Sequence, residues 1–267
     1  MQTVLTIAGF DPSSGAGVTA DLMVFAAHGL FGTSCITNLT VQSTLGVVAT
    51  HSVAPNIVQT TLECLNSDLA PAGIKIGMLS SEANVAAVAD YLTALRSQGH
   101  TIPVVLDPVL RSSSGRELLD SAAVALVQSR LIPLVDWITP NLEELSILAC
   151  QPVQSRADLL PASRILQKLG ESLNILATGG HLDPPDDLLL TSSGEAHWLP
   201  GEYIHSSSTH GTGCALSSAL LSQLVLGNQP HTAALAAKRY VAEAIRSAIP
   251  VGRGNGPLNH LWPLRVR

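Results

Sequence analysis

Short apolar runs alternate with longer segments of helical periodicity along most of this chain. Apolar runs that end at turn-forming residues predict buried strands, because a strand covered on both faces is apolar at consecutive positions. Segments with apolar residues three and four apart predict helices. The predicted strands are residues 4–8, 34–40, 74–76, 104–106, 137–139, 174–177, 188–190 and 197–199. The predicted helices are residues 17–28, 55–67, 82–96, 117–130, 141–149, 157–169, 213–226 and 231–248.

This alternation predicts an α/β fold, with a mostly parallel central sheet and helices on both faces. The last two strands, residues 188–190 and 197–199, are predicted to form an antiparallel hairpin at one edge. No stretch rich in Pro, Gly or charge divides the chain, so residues 1–267 are predicted to form one domain. Ligands of such folds bind at the carboxyl ends of the parallel strands. Functional residues are therefore expected directly after these strands.

Composition narrows the class of function. The chain has 267 residues, of which 46% are hydrophobic and 13% charged, and this balance is typical of a folded domain rather than a disordered one. Only 3% are aromatic, which argues against stacking on nucleic-acid bases. No Lys or Arg precedes Lys75, so a basic arm or an Arg-rich transit peptide is not predicted. No apolar run reaches the roughly 18 residues that span a bilayer. We expect a cytoplasmic protein without nucleic-acid or membrane partners.

The four cysteines are widely spaced and form no CxxC pair. Neither a disulfide framework nor a metal cluster is therefore predicted. For Cys35, Cys64 and Cys150 the expected role is that of a small buried hydrophobic residue.

Cys214 belongs to a different pattern, THGTGC at residues 209–214, which opens a long predicted helix. Gly211, Thr212 and Gly213 allow a tight turn that directs successive N–H groups the same way, and the helix N-terminus adds about half a positive charge. Such a loop binds phosphate without a lysine and suits phosphoryl transfer. At this helix start the pKa of the Cys214 thiol is expected to fall. The alternative is a glycine-rich helix start that serves packing alone.

Carboxylates follow two of the predicted strands. Asn141 and Glu144, in TPNLEE at residues 139–144, lie three apart and are expected to share one helix face. An amide and a carboxylate can hold a hydrated Mg²⁺ there. Asp107 ends another strand and is a second candidate metal ligand. The alternatives are an ordinary acidic first turn of a helix and a turn-forming aspartate.

Two further glycine-rich loops follow strands. GAGVTA at residues 15–20 nearly fits a dinucleotide-binding fingerprint, but no Asp or Glu occurs between Asp21 and Glu63 to bind a ribose. A nicotinamide or flavin site is therefore not favoured over a turn, or over a substrate loop with Asp11 as its polar group. Gly180 belongs to a Gly-Gly-His turn where a nucleotide can approach the backbone closely. The chain has no GxxxxGK[ST], HRD, DFG, GxSxG or HExxH motif, which excludes P-loop and protein kinases among other classes.

Taken in order, the motifs resemble those of the hydroxymethylpyrimidine and phosphomethylpyrimidine kinases, a family of the ribokinase-like superfamily. They are TIAGFDPSSGAG at 6–17, VQST at 41–44, KIGML at 75–79, LDPV at 106–109, TPNLEE at 139–144 and THGTGC at 209–214. The resemblance implies a ribokinase-like three-layer sandwich. It also implies that ATP and Mg²⁺ phosphorylate 4-amino-5-hydroxymethyl-2-methylpyrimidine and then its monophosphate, for thiamine synthesis.

The resemblance also implies a role for each site residue. Gln42 would bond the amino group and the adjacent ring nitrogen of the pyrimidine, as an amide does with adenine. The other implied substrate-binding residues are Gly9, Asp11, Val41, Met78 and Val109, with Val41 and Met78 on the ring faces. The implied nucleotide-binding residues are Asn141, Thr178, Gly180 and His210, and the implied metal ligands are Asp107 and Glu144. Gly211, Thr212, Gly213 and Cys214 would form the catalytic anion hole.

The sequence departs from this family's pattern at the phosphate side. Thr178 and Ser113 stand where many members carry lysines, and Arg111 could replace one of them. Cys214 stands where ribokinase relatives usually have an aspartate base. A weaker base is expected to be tolerated, because positioning and charge stabilisation dominate phosphoryl transfer.

Two other functions remain open from the sequence. One is a pyridoxal or pyridoxine kinase of the same superfamily, and the other is a non-catalytic ligand-binding protein on this fold. A homo-oligomer, with a dimer favoured, is expected by resemblance.

Overall fold

The computed structural model describes residues 1–111, 118–119, 121–180 and 182–264. Within this part of the chain, nine strands form one sheet in the order β3-β2-β1-β4-β5-β6-β7-β8-β9. The strands are β1 (Thr3–Phe10), β2 (Phe31–Ser43), β3 (Gly46–Ser52), β4 (Ile74–Ile76), β5 (Val104–Leu106), β6 (Trp137–Ile138), β7 (Asn174–Ala177), β8 (Asp187–Leu190) and β9 (Ala196–Leu199).

The helices fill the connections between these strands and follow the last of them. They are α1 (Gly17–Ala27), α2 (Pro55–Asp68), α3 (Glu82–Ser97), α4 (Ser121–Leu126), α5 (Leu142–Leu148), α6 (Arg156–Gln167), α7 (Thr212–Val225) and α8 (Pro230–Arg246). Proline opens α2 and α8, where its missing N–H costs no helical hydrogen bond.

The centre of the sheet is parallel. The pairs β1–β2, β1–β4, β4–β5, β5–β6 and β6–β7 are all parallel, whereas β3, β8 and β9 are joined antiparallel to their neighbours. Every residue of β4 and β5 is buried, as expected for strands covered on both faces. The predicted mostly parallel α/β sheet is therefore confirmed.

Helices cover both faces of the sheet. Successive side chains of a strand point to opposite faces, so Leu5 and Ile7 of β1 belong to one hydrophobic core and Val4 to the other. Residues of α2 to α6 complete the first core, and residues of α1, α7 and α8 complete the second. This arrangement confirms the expected three layers. The single-domain organisation stays a prediction.

The hairpin formed by β2 and β3 differs from the sequence-based expectation. The predicted strand 34–40 extends over Phe31–Ser43, and β3 (Gly46–Ser52) was not expected at all. No residue of β3 is buried, so this strand lacks the apolar run by which a buried strand is recognised. This hairpin carries Gln42, which is predicted to bind the substrate ring.

Two other predicted elements need correction. The predicted helix 117–130 has wrong bounds: Leu118 and Leu119 are not helical, and residue 117 lies outside the described residues. A π-helical turn, Val127–Leu131, follows α4. Its buried side chains lie four residues apart, as they would in an α-helix, so the sequence pattern does not distinguish the two. The β8–β9 hairpin is confirmed, but β8 is fully buried between β7 and β9. Of the two hairpin strands, β9 alone is an edge strand of the sheet.

The cysteines are all free thiols, and their burial is only partly as expected. Cys35 is buried in the core, whereas Cys64 and Cys150 are exposed, so the expected burial of these two is wrong. Cys64 lies in α2 and Cys150 in the turn after α5, and small size alone does not place a surface residue in the core. Separately, no helix within the described residues combines the length and the apolar character needed to cross a membrane.

Candidate active site

The polar residues singled out by the motifs gather at the carboxyl ends of the parallel strands. Asp11 follows β1, Gln42 lies near the end of β2, and Asp107 follows β5. Thr139 follows β6, and Thr178 follows β7. The chain thus brings together residues that lie far apart in sequence, at the edge where such sheets bind ligands.

The anion loop, defined here as residues 210–213, packs directly against the loop that follows β1. Gly211 is the N-cap of α7 and has a φ of 86°, a left-handed conformation that favours glycine. A Cβ atom at Gly211 would lie 1.9 Å from the carbonyl oxygen of Gly15, so no side chain fits there. A Cβ at Gly213 would lie 3.9 Å from both carboxylate oxygens of Asp107. The start of α7 therefore faces both Asp107 and the β1 loop.

Cys214, in the first turn of α7, is partly exposed. Its thiol hydrogen-bonds to Asp107, and the backbone N–H of Gly17 donates to its sulfur. Burial raises the pKa of the thiol to about 12, against the opposing effect of Lys75, and the negative charges of Asp107 and Asp21 add to the rise. The expected fall of this pKa is therefore wrong, because burial outweighs the helix N-terminus. Near neutral pH the residue is a thiol.

A buried ion pair lies beside this helix start, and sequence reasoning gave it no role. Nζ of Lys75 lies 3.1 and 3.0 Å from the two carboxylate oxygens of Asp21, and 4.0 Å from Oδ2 of Asp107. The hydroxyls of Thr6 and Ser218 also donate to Asp21, at 2.6 and 2.7 Å.

Burial alone would lower the pKa of Lys75, but the charge of Asp21, followed by those of Cys214 and Asp107, raises it above its ordinary value. Lys75 is therefore a fixed cation near the anion loop. The sequence did contain a sign of this ion pair, because Lys75 stands between Ile74 and Ile76 in a buried strand, where an unpaired charge would be costly.

Asp107 and Glu144 are two carboxyl groups buried close together. Burial raises the pKa of Glu144 to about 8, and the charge of Asp107 adds to this rise. Burial also raises the pKa of Asp107, although Lys75 opposes it. The Ser217 hydroxyl donates to Asp107 at 3.2 Å, and the backbone N–H of Leu110 donates to Glu144. Such a pair favours the binding of a cation, which would relieve the repulsion between the two charges.

Asn141 and Glu144 bind each other across the start of α5. The side-chain oxygen of Asn141 accepts from the backbone N–H of Glu144, and the Glu144 carboxylate accepts from the backbone N–H of Asn141, each at 2.9 Å. This reciprocal pair is a capping box, with Asn141 as N-cap rather than a residue of the helix face. It fixes the Glu144 side chain and leaves one of its oxygens without a partner from Asn141.

These groups fit the Mg²⁺ that the family resemblance implies. Asp107, Glu144 and Thr139 supply only oxygen atoms, and Oγ1 of Thr139 is buried without a hydrogen-bond partner among the described residues. Mg²⁺ in kinase sites takes one or two carboxylates and keeps several waters. No group of three or more His, Cys, Asp or Glu residues arranged for a metal occurs in the described part of the chain.

Several residues predicted to bind substrate lie in or near β1 and the loop that follows it. Nε2 of His210, which is among the residues predicted to bind nucleotide, lies 2.8 Å from Asp11 and 2.9 Å from the Gln42 amide, two residues predicted to bind substrate. A Cβ at Gly9 would lie 3.2 Å from Sδ of Met78, so these two residues are in contact. Val41 is 50% exposed.

The other residues predicted to bind nucleotide lie at the start of α5 and after β7. Thr178 pairs with Asn141 in an isolated bridge, and a Cβ at Gly180 would meet no atom within 4 Å. Arg111, which was expected to replace a missing lysine, forms an ion pair with Glu143. Their side chains are 49% and 55% exposed, and such surface pairs are weak enough for Arg111 to leave. Val109, predicted to bind substrate, lies two residues after Asp107 and is half-buried.

Residues His181 and Ser113, both considered from the sequence, lie outside the described residues.

Comparison with known proteins agrees with this geometry. The phosphomethylpyrimidine kinase family pattern matches residues 11–259. A hydroxymethylpyrimidine/phosphomethylpyrimidine kinase of Synechococcus elongatus is 39% identical over 261 residues, which cover 97% of both chains. The crystal structure of phosphomethylpyrimidine kinase from Clostridium difficile 630 is 34% identical, with a TM-score of 0.79 over 92% of this chain and 100% of that one.

A third match concerns a different activity. Pyridoxal kinase from Staphylococcus aureus in complex with AMP-PCP and pyridoxal is 26% identical, with a TM-score of 0.87 over 100% of this chain and 96% of that one. Both structural matches confirm the ribokinase-like fold that the motifs implied. The sequence match to the family pattern, the high identity over nearly the whole chain and the shared fold together show that this chain belongs to the phosphomethylpyrimidine kinase family.

Proposed function

We propose that this chain transfers phosphate from ATP to 4-amino-5-hydroxymethyl-2-methylpyrimidine and then to the resulting monophosphate. The product is the diphosphate used in thiamine diphosphate synthesis. The observation that carries the proposal is the placement of the anion loop, whose Gly213 faces Asp107 and whose His210 contacts Asp11 and Gln42. A phosphoryl group and an aminopyrimidine ring would each have suitable partners there.

The start of α7 supplies the main stabilisation of the transferring phosphoryl group. The first N–H groups of a helix have no partner within the helix and carry a partial positive charge. Charge spreads over the phosphoryl oxygens during transfer, and these fixed donors would stabilise it without rearrangement. Lys75 adds a buried positive charge nearby. Mg²⁺, held by Asp107 and Glu144, would neutralise further phosphate charge.

Cys214 is proposed to act without losing its proton. A thiol with a pKa of about 12 is a poor base near neutral pH, but it can donate a hydrogen bond to Asp107. The second transfer needs no base, since its acceptor is a phosphate that is already anionic. In the first transfer the hydroxyl loses its proton late if the transition state is loose, and the anionic phosphate that has been transferred can accept that proton. Cys214 therefore positions Asp107 in this proposal.

Two further properties belong to the same proposal. Use of ATP is supported by the relative crystallised with AMP-PCP, a non-hydrolysable analogue of ATP. The cytoplasmic location and the homodimer remain predictions from the sequence.

Pyridoxal phosphorylation is the second candidate, because the Staphylococcus aureus pyridoxal kinase superposes closely on this chain. Gln42 favours the aminopyrimidine, since an amide can pair with both an amino group and a ring nitrogen.

A direct assay separates these candidates. The purified protein is incubated with Mg-ATP and the hydroxymethylpyrimidine, with pyridoxal in a parallel reaction, and products are identified by mass spectrometry. Mono- and diphosphorylated pyrimidine are expected, and both should disappear when EDTA removes Mg²⁺. Phosphorylated pyridoxal alone would assign the second function. Ligand binding without any product would contradict both and indicate a non-catalytic protein.

A further inference from the structure

Three side chains from distant parts of the chain form a hydrogen-bonded series on the substrate side. Nε2 of His210 lies 2.8 Å from Oδ2 of Asp11 and 2.9 Å from the amide nitrogen of Gln42. Asp11 follows β1, Gln42 belongs to β2, and His210 precedes α7. One ring nitrogen thus contacts both a carboxylate and an amide. Whether that nitrogen carries a hydrogen decides how both neighbours are arranged.

Asp11 determines where this hydrogen is. Its carboxylate accepts from the backbone N–H and the hydroxyl of Ser13, at 2.8 and 2.6 Å, and from the backbone N–H of Ala16 at 3.0 Å. Burial alone would raise the pKa of Asp11, but hydrogen bonds from His210 and Ser13 lower it below its ordinary value. An ionised carboxylate only accepts hydrogen bonds. Nε2 of His210 therefore carries a hydrogen and donates it to Asp11.

A donating Nε2 fixes the direction of the Gln42 amide. This nitrogen has no free lone pair, so it cannot accept from an amide N–H. The two ends of an amide have the same shape, and the surrounding hydrogen bonds decide which end is oxygen. The Gln42 oxygen must therefore face His210 and share its hydrogen with Asp11. In the described part of the chain, the Gln42 side chain has no other hydrogen bond, so its amino group remains available to a ligand.

A glutamine that is free to turn can recognise two opposite patterns on a ring. In one orientation it accepts from an amino group and donates to the adjacent ring nitrogen. In the reverse orientation it matches a carbonyl beside a ring N–H. We propose that Asp11 and His210 hold the Gln42 amide in the first orientation and thereby make the site select a 4-aminopyrimidine over its 4-oxo counterpart. His210 acts on the ring through Gln42 and is a positioning residue. The inference rests on the proposed function.

The test compares kcat/KM for the 4-amino substrate and for its 4-oxo analogue in the wild type and two variants. In Asp11→Asn the new amide keeps the shape of Asp11 but can donate as well as accept, so it no longer fixes the hydrogen on His210. His260→Asn is the matched control. Nε2 of His260 contacts the same loop, 3.2 Å from the carbonyl oxygen of Gly15, but it has no hydrogen bond to Gln42 among the described residues.

The wild type is expected to prefer the amino substrate by about 10- to 100-fold, and Asp11→Asn to reduce this preference to about threefold or less. The change should lie mainly in KM, because Gln42 contacts the ring and not the transferring phosphoryl group. His260→Asn should keep the wild-type preference. A merely structural role of Asp11 would lower activity on both substrates equally, and that result would overturn the inference.

The remaining outcomes separate the inference from the function on which it rests. A wild type that phosphorylates both pyrimidines equally well would refute the inference and leave the proposed function standing. A wild type active on neither would refute both. Nitrogen-15 NMR of the histidines in the folded wild type gives a test that needs no variant. We expect a hydrogen on Nε2 of His210 at neutral pH, and an Nε2 without hydrogen would overturn the inference.

Discussion

Nζ of Lys75 lies 3.0 Å from the Asp21 carboxylate, and neither side chain has any exposed surface. Thr6 and Ser218 complete the hydrogen bonding of Asp21, which ties α1, β1, β4 and α7 together at one point. Charges this deeply buried are tolerated only when each has its partner. The pair therefore holds the start of α7 in register with the strands that carry the site.

Removal of one partner of this pair should destabilise the fold strongly. Lys75→Met leaves the Asp21 carboxylate buried without its cation, and we expect a loss of about 3–5 kcal/mol in the free energy of unfolding. Urea unfolding followed by circular dichroism measures it. The double variant Lys75→Met/Asp21→Asn removes both charges and should recover at least about half of the loss. Equal stabilities of the single and double variants would contradict the account.

Replacement of Gly211 should lower activity because there is no room for a side chain, and not because of its left-handed backbone conformation. Gly211 and Gly194 both have a φ of 86°, but a Cβ would lie 1.9 Å from the Gly15 oxygen in the first and meet nothing within 4 Å in the second. Gly194→Ala should cost about 1 kcal/mol of stability and keep full activity. Gly211→Ala should in addition lower kcat about 100-fold or more, since the anion loop has to move. Similar kinetics of the two variants would refute this.

Cys214 should not behave as a titrating base. Because the pKa of its thiol is about 12, kcat measured from about pH 6 to about pH 9 should show no step that disappears in Cys214→Ser. The serine keeps a hydrogen-bond donor to Asp107, so its kcat should stay within about tenfold of the wild type. Cys64→Ser, at an exposed position, serves as the control. A step near neutral pH that only Cys214→Ser removes would contradict the expectation.

Glu144 should make the metal-free protein less stable as the pH rises. Its pKa is raised from 4.5 to about 8 in the folded state, so the folded protein binds more protons than the unfolded chain between these values. The contribution of Glu144 to the free energy of unfolding is therefore fully present below this range and is lost as the pH increases through it.

The glutamine of Glu144→Gln is uncharged and keeps the capping box. This variant should therefore not lose stability as the pH rises. In EDTA the variant should match the wild type near pH 5 and exceed it by about 1 kcal/mol or more near pH 9. Urea unfolding at both pH values measures the difference. A difference independent of pH would show that Glu144 does not titrate in this way.

The sequence predicts this fold well where burial leaves a regular pattern. β4 and β5 are short, but β5 is apolar throughout and β4 is apolar on both sides of the paired Lys75, so both are recognisable as buried strands. β3 is not predicted because none of its residues is buried, and a hairpin strand on the surface has no apolar run by which it could be recognised.

The site residues were found through their motifs, whereas the contacts between them were not. His210 and Asp11 are separated by 199 residues, and nothing in local spacing shows that they meet. The pKa of Cys214 was misjudged for a related reason. The helix start is visible in the sequence, but the burial and the neighbouring carboxylates that outweigh it arise only from the folded chain.

Gln42 sits on the β2–β3 hairpin, and β3 pairs only with β2 at one edge of the sheet, whereas the anion loop belongs to a helix packed across its middle. In the proposed function the edge hairpin contacts the ring and α7 contacts the phosphoryl group, and His210 of the anion loop joins the two through its contact with Gln42. Side chains on the hairpin can therefore be exchanged to change which ring fits, provided that the contact between Gln42 and His210 is kept. An engineer who wishes to redirect this kinase should begin with the hairpin.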